Sequence, residues 1–264
     1  MSSKDKILQL LEENKGRYIS GEAIGNELGI SRNAIWKAVN DLKASGYDIQ
    51  AVRNRGYCLN LNNDILSVSG IISEMTIDFN RDLLFVFNTL ESTNQTAKEM
   101  AISSFDHGTS IICSAQTQGR GHKGASFNSP EGGLYMSVIL DPDKMTIKNP
   151  SHISAFAAVC ACEALNAVTG IEPEIDLITD IFYKNRKIAG ILTESAFDFE
   201  TETLQWIVVG IGIPSRIETF ADDKADTKDS PDYFRNQLAA KIIEELLAEH
   251  HSDEVLTYYK KHHK

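Results

Sequence analysis

No apolar run in these 264 residues approaches the roughly 18 needed to cross a bilayer. No hydrophobic core follows the lysines of Met1 to Lys6, as a secretory leader would require. Both absences point to a protein that stays in the cytoplasm and has no membrane partner. Cysteine is scarce. The four residues, Cys58, Cys113, Cys160 and Cys162, are scattered, and the one close pair is spaced C-x-C. That spacing fits neither a zinc knuckle nor a thioredoxin-type redox pair, so they read as buried free thiols and no metal site is expected. Biased tracts are missing too, which removes disorder as the default. Basic charge is not in excess: 26 Lys/Arg against 37 Asp/Glu give a net charge of -11, which excludes a protein that coats nucleic acid with its whole surface.

The charge that is present is unevenly spread. Met1 to Asn60 carries 9 Lys/Arg against 7 Asp/Glu, and the remainder carries 17 against 30. Any contact with DNA therefore belongs to the first segment. The chain is also too long for one small core, so a small domain over residues 1–62 and a medium-sized one over 63–264 are expected.

In the small domain Ile7, Leu8, Leu10 and Leu11 recur at helical spacing. Ser20 and Glu22 open a second helix that ends at Gly29. Ser31 is placed to cap a third, whose Ile35, Val39 and Leu42 share one face before Gly46. Helix, Gly-containing turn and capped helix form the helix-turn-helix pattern, whose second member enters the major groove N-terminus first. Tyr47 to Val52 and Tyr57 to Leu59 then alternate around the basic turn Arg53-Asn54-Arg55-Gly56, a wing. Arg32, Lys37, Arg53 and Arg55 become candidates for phosphate contact on double-stranded DNA and Asn33 for a base edge, with the cap Ser31 counted in the same DNA-binding set. The competing reading is an interaction or dimerisation module whose cations are a solvated face. Order of turn, cap, helix face and basic wing favours DNA.

After a short polar link around Asn60 to Asp64, the pattern is mixed α+β. Strands are expected at Leu83 to Phe87, Thr109 to Cys113, Leu134 to Leu140, Ile188 to Thr193 and Trp206 to Ile213. An apolar helix is expected at Ile153 to Val168, an exposed loop at Ala221 to Asp232, and a last amphipathic helix from near Tyr233. The paired histidines His250-His251 and His262-His263 fall on a polar C-terminal helix with no thiol or carboxylate at ligand spacing, and are expected in solvent.

Four segments carry the chemistry: Glu91-Ser92-Thr93-Asn94; Gln116-Thr117-Gln118-Gly119-Arg120-Gly121-His122-Lys123-Gly124; Asn185 to Glu194, reading NRKIAGILTE; and Val209-Gly210-Ile211-Gly212-Ile213. A lone Gly-Arg-Gly is as often a turn as a phosphate cradle. Together, in this order and behind a winged helix, the four resemble the biotin protein ligase family, and its bifunctional BirA-type branch of biotin operon repressors in particular. The resemblance covers essentially the whole chain. It implies a domain that joins biotin to ATP as biotinyl-5'-AMP, then passes biotin to a carrier-protein lysine, and that represses biotin genes as an adenylate-loaded homodimer on an operator. By position, Ser92, Thr93, Asn94 and Gln116 would hold the biotin ring system. Gly119, Arg120, Gly121 and His122 would form the loop over the ligand. Gly190, Gly210 and Gly212 would lie on the pocket strands, and Lys187 would face the carboxylate or acyl-phosphate as the one candidate left for a catalytic role.

The sequence departs from the family on the nucleotide side. GRGRxGR becomes GRGHKGA, with His122 and Ala125 in place of arginines, and the KWPND segment aligns with Asp176-Leu177-Ile178-Thr179-Asp180, where only Asp180 survives. Pro214 stands where the family has Asn, and the family's C-terminal SH3-like barrel is not expected in this chain. A unit charge about 4 Å from a phosphate is worth ~4 kcal/mol at an effective dielectric near 20, so an aspartate in place of lysine reverses that interaction. A histidine does not restore an arginine, being largely uncharged at neutral pH at an ordinary pKa of about 6.5. The expectation is a biotin-responsive repressor that senses biotin or biotinyl-5'-AMP with weak or no catalysis. The alternatives are an active ligase-repressor, using ATP, magnesium and a biotin carboxyl carrier protein, and a regulator of the same fold that binds another small ligand.

Overall fold

The structure, a computed structural model, describes residues 1–147, 150–176, 180–214, 235–250 and 252–262. Internal contacts divide the chain into two compact units, Met1–Phe79 with Pro231–Ala240, and Asn80–Ser230 with Lys241–Lys264.

The first unit opens with three serine-capped helices. Ser2, Ser20 and Ser31 precede α1 (Ser3–Glu13), α2 (Gly21–Leu28) and α3 (Arg32–Ala44), and each hydroxyl accepts the N–H three residues on. Each cap satisfies a donor that a helix start leaves open. Gly29 closes α2 in the left-handed region. The hairpin of β1 (Ile49–Val52) and β2 (Gly56–Leu59) turns at Asn54, with φ 65°. Gly56 is required there: its φ is 105°, and a Cβ would stand 1.9 Å from the Ile19 carbonyl oxygen. Ile7, Leu11, Ile24, Ile35, Leu42 and Leu59 are fully buried between these elements, and α4 (Val68–Glu74) packs on α1.

The expected polar link at Asn60 to Asp64 is corrected by the structure. Asn63 and Asp64 are buried. Lys15 Nζ donates to the Asn63 carbonyl at 2.8 Å, and Asp48 N donates to Asn63 Oδ1 at 3.1 Å. Arg235 Nε, in α7 (Arg235–Leu247), donates to Asp64 Oδ2 at 2.6 Å. Polar side chains can be buried when tertiary partners pair them, and sequence spacing does not reveal partners 48 and 171 positions away.

Lys15 also lies 3.4 Å from Glu12, whose side chain is only 2% exposed. Burial pushes the Glu12 carboxyl above its ordinary range, and Lys15 opposes the shift. Lys15→Met is expected to cost the unit about 1–3 kcal/mol at neutral pH, because it leaves a buried carboxylate and a carbonyl without their donor. Urea unfolding measures it. The deficit should shrink as pH falls through the raised Glu12 pKa, since folding then favours the protonated acid, which needs no cation.

The second unit is a seven-stranded sheet in the order β3-β4-β5-β9-β8-β7-β6. Its strands are β3 (Leu84–Leu90), β4 (Thr109–Gln116), β5 (Leu134–Leu140), β6 (Glu174–Asp176), β7 (Asp180–Tyr183), β8 (Arg186–Asp198) and β9 (Thr203–Ile213). Among the described strands only β3 and β4 pair in parallel. β5 is buried at every residue, so both sheet faces are covered there. α5 (Thr93–Ser103) packs on β4, β5 and β9, while α6 (Pro150–Thr169) packs on β6, β7, β8 and α8 (Ser252–His262). This is the expected α+β class, a helix-turn-helix followed by a mixed sheet. The expected strands are found, with β8 and β9 longer because their pairing continues into a hairpin past the buried segment.

α6 holds the one window among the described residues, His152–Thr169, that is long and apolar enough to cross a membrane, with mean hydropathy 1.3; 61% of it is buried within the protein. His152, Ser154, Glu163 and Asn166 punctuate it, which hides it from a count of unbroken apolar runs. All four cysteines are free and buried; burial pushes the Cys113 and Cys162 thiols up to about 12. The stretch Ala221 to Asp232 and the helix start near Tyr233 lie outside the described residues.

Candidate ligand pocket and nucleic-acid surface

The strand β3 delivers the chain to Ser92, which caps α5 by accepting the Gln95 N–H, so Thr93 and Asn94 sit in the first turn of α5, both buried. β4 ends on Gln116. Its Oε1 accepts from Thr93 N at 2.8 Å and Thr93 Oγ1 at 3.2 Å, while its Nε2 donates to Ser129 Oγ at 2.9 Å. Beneath them the Ser137 hydroxyl, on β5 and wholly buried, stands 2.8 Å from Thr93 Oγ1 and 2.7 Å from Asn94 Oδ1. Asn94 Nδ2 reaches Glu194 Oε2 on β8 at 2.9 Å, and Lys98 pairs the other oxygen of Glu194 at 2.8 Å. Every polar group of this buried chain is matched, which fixes the rotamers of Thr93 and Asn94.

The strands β8 and β9 make room for that network with glycine. Gly190 faces Gly212 across the ladder, and Gly210 pairs with Leu192. A Cβ on Gly210 would lie 1.9 Å from Asn94 Oδ1, and one on Gly212 would lie 2.4 Å from the Phe127 ring. Phe127 ends a loop folded on itself, with Phe127 N donating to Gly119 O and Gly121 N to Ala125 O. Lys187 Nζ lies 2.7 Å from Asp180 Oδ1 and 5.8 Å from the Phe127 ring centre.

Part of this assembly lines one pocket. Of the anticipated set, Ser92, Thr93, Asn94, Gln116, Arg120, Gly121, His122, Lys187, Gly190, Gly210 and Gly212 are all on its wall. Gly119 is not on the wall; it lets Phe127 O and Ser129 Oγ approach where a Cβ would stand 2.4 and 2.5 Å away. Asp176 is also off the wall, on β6 opposite Asp180, and Leu177, Ile178 and Thr179 lie outside the described residues. Sequence reading gave no role to Phe127, Asp180, Ser137 or Glu194. Ser137 left a signal: it is the single polar residue of an otherwise apolar strand, LYMSVIL. With Phe127 against the glycines the cavity is only about 50 Å³, space for a few waters.

In the first unit Ser31, Arg32, Asn33 and Lys37 are exposed along the start of α3, and Arg53 and Arg55 are exposed on the wing. Arg32 and Arg53 line one groove, and Arg55 lies over the Tyr18 ring at 4.1 Å. Trp36, 64% exposed one turn after Arg32, adds an aromatic surface that sequence reading passed over.

His250 corrects another expectation. It lies in the connection between α7 and α8, half-buried beside Glu245, with its ring edge-on to Phe156 and 3.9 Å from the Cys160 sulfur. His262 is stacked on Tyr258 at 4.0 Å; His251 and His263 lie outside the described residues. Folding, not local spacing, brings Cys160 and His250 together across 90 positions.

Two family models match the chain: an HTH domain over residues 4–58 and the Biotin/lipoate A/B protein ligase family over residues 86–213. The bifunctional ligase/repressor BirA of Bacillus spizizenii is 34% identical over 221 residues, covering 83% of this chain and 66% of its own length, just under two thirds. The Escherichia coli protein of the same name is 28% identical over 253 residues, 92% of this chain and 75% of that protein. Among solved structures, the biotin protein ligase of Leishmania major in complex with biotinyl-5-AMP shares the fold, with TM-score 0.55 and 20% identity over 69% of this chain and 81% of that one.

Proposed function

Because the chain belongs to the BirA-type family, we propose that it is a biotin-responsive transcriptional repressor that binds biotin or biotinyl-5'-AMP and catalyses adenylation weakly or not at all. The observation that carries the reading is the difference between the two ends of the pocket. At one end, hydroxyl and amide groups of Ser92, Thr93, Asn94 and Gln116 are held in a matched network, the kind of group that pairs a buried ureido ring. At the other, the Lys187 charge is already balanced by Asp180 at 2.7 Å. Among the described residues, Arg120 is then the remaining lysine or arginine on the wall to stabilise charge developing on phosphorus.

The first unit supplies the output. Arg32, Lys37, Arg53 and Arg55 contact phosphates of an operator duplex, Ser31 contacts the backbone at the start of α3, and Asn33 reads a base edge. A homodimer places two such units on two half-sites.

One observation favours the second reading, an active ligase-repressor: Lys187 and Asp180, both kept from the family pattern, line the same pocket. ATP and magnesium would then be co-substrates, and a biotin carboxyl carrier protein the acceptor.

Calorimetric titration with biotin, with biotin plus ATP and magnesium, and with biotinyl-5'-AMP separates the readings. Binding without pyrophosphate release is the expected result; stoichiometric adenylate formation overturns it in favour of the ligase. No binding of any of the three moves the protein to a different small ligand.

Phe127 must leave the glycine floor before a ligand of that size enters. Phe127→Ala is expected to tighten biotin binding by about tenfold, if the ring occludes the pocket about nine-tenths of the time. Stopped-flow association should show the gain in the on-rate. An unchanged on-rate would mean that the ring does not gate the pocket.

A further inference from the structure

Away from the pocket, α6 and the end of α7 enclose a cluster that the ligand reading does not use. Cys160 and Glu163 lie three apart on α6 and share a face. Glu245 comes from α7, and His250 from the connection after it. One carboxylate oxygen each of Glu163 and Glu245 and one ring nitrogen of His250 all lie within 4.8 Å of one another. His250 Nε2 is 3.9 Å from Glu245 Oε2 and 3.9 Å from Cys160 Sγ. The ring is held edge-on by Phe156 at 5.4 Å, and Thr146 Oγ1 donates to the His250 carbonyl.

The two carboxylates of the cluster are unequally paired. Lys241 takes the other oxygen of Glu245 at 2.8 Å, whereas Glu163 has no hydrogen bond or ion pair among the described residues. The donors are mixed: two carboxylates, an imidazole nitrogen and a thiol sulfur from three segments of chain. Magnesium and calcium take oxygen ligands, while nitrogen and sulfur donors in fourfold number suit zinc. Tetrahedral zinc, with bonds of about 2.0–2.3 Å, sets its donors roughly 3.3–3.6 Å apart. The two 3.9 Å separations from His250 need to close by a few tenths of an ångström, and the carboxylate oxygens, within 4.8 Å of each other and of the ring nitrogen, by up to about 1.5 Å. The Cys160 sulfur, outside that set, comes in from the His250 side.

We infer that Glu163, Glu245, His250 and the Cys160 sulfur form a binding site for a zinc-like divalent cation. On binding, the Cys160 thiol gives its proton to solvent and the thiolate bonds the metal. His250 Nε2 gives up its 2.8 Å hydrogen bond to the Glu245 carbonyl; its proton passes through solvent to Nδ1, and the unprotonated Nε2 of the neutral ring bonds the metal. The cation would tie the connection after α7 to α6.

The test uses the full chain, stripped with a chelator and titrated with zinc sulfate alone by calorimetry, then with cobalt(II) followed by absorption. One equivalent of zinc and a near-ultraviolet thiolate-to-cobalt band are expected. Glu163→Gln and His250→Gln should each weaken zinc binding at least tenfold, and Cys160→Ser should remove the band. Circular dichroism of the metal-free variants checks that each is folded, and half-exposed Glu163→Gln keeps the test decisive if a core variant is not. No binding, binding without the band, or binding that survives Glu163→Gln and His250→Gln together overturns the proposal.

Discussion

Gly210→Ala is expected to weaken biotin binding by at least 100-fold, or about 2.7 kcal/mol. The added Cβ would stand 1.9 Å from Asn94 Oδ1 and 2.7 Å from Asn94 Cγ, so Asn94 must leave its place. Asn94 cannot move alone. It holds the Ser137 hydroxyl at 2.7 Å and Glu194 at 2.9 Å, and Ser137 in turn touches Thr93, which is fixed by Gln116. Displacing one member of a buried matched network leaves the others unpaired at about 1–3 kcal/mol each, so a lower melting temperature should accompany the lost binding. Gly210→Ala with Asn94→Ala removes the clash but still leaves Ser137 and Glu194 without Asn94, so it should regain only part of the stability and should not regain the ligand. Calorimetry and thermal unfolding on the two variants check both parts. Wild-type affinity in Gly210→Ala would mean that Asn94 does not hold the ligand.

Arg53→Ala with Arg55→Ala should be the corresponding loss for DNA. Both side chains are exposed on the hairpin between β1 and β2. If each neutralises one phosphate, the slope of log affinity against log salt should flatten by about 1.8, from a contribution of about 0.9 per phosphate on B-form DNA. The affinity loss should be uniform across duplex sequences and should shrink at high salt. Asn33→Ala should instead relax discrimination at one base position and leave the salt slope unchanged. Fluorescence anisotropy at several salt concentrations distinguishes the two. An unchanged slope in the double variant would return this hairpin to the role of a solvated face. Arg55 packs over Tyr18, so the single Arg53→Ala variant, free of that contact, guards against a purely structural effect.

The α3 cap and face and the wing glycine were legible in the sequence because they depend on residues within a few positions of one another. Ser31 accepting from Ala34 is one such case. Strand cores such as Leu134–Leu140 were legible as apolar runs. The short strands β6 and β7 were not, since each is only three or four residues long and is defined by its partner.

The pocket divides along the same line. The residue types that line it stand in four recognisable segments, and eleven of the twelve ligand candidates meet on one wall. The Phe127 ring on the glycine floor, Asp180 against Lys187, and Ser137 joining Thr93 to Asn94 are contacts between separate strands, helices and loops, and no spacing encodes them. The same is true of buried Asn63 and Asp64 and of His250 beside Glu245. By itself the sequence determined the family, the class of fold and which residue types each element would present, because these follow from local propensity and pattern. Only the tertiary structure decided which polar groups are paired, which are buried and how much of the pocket is open, because partner distance in space is set by packing across the whole chain.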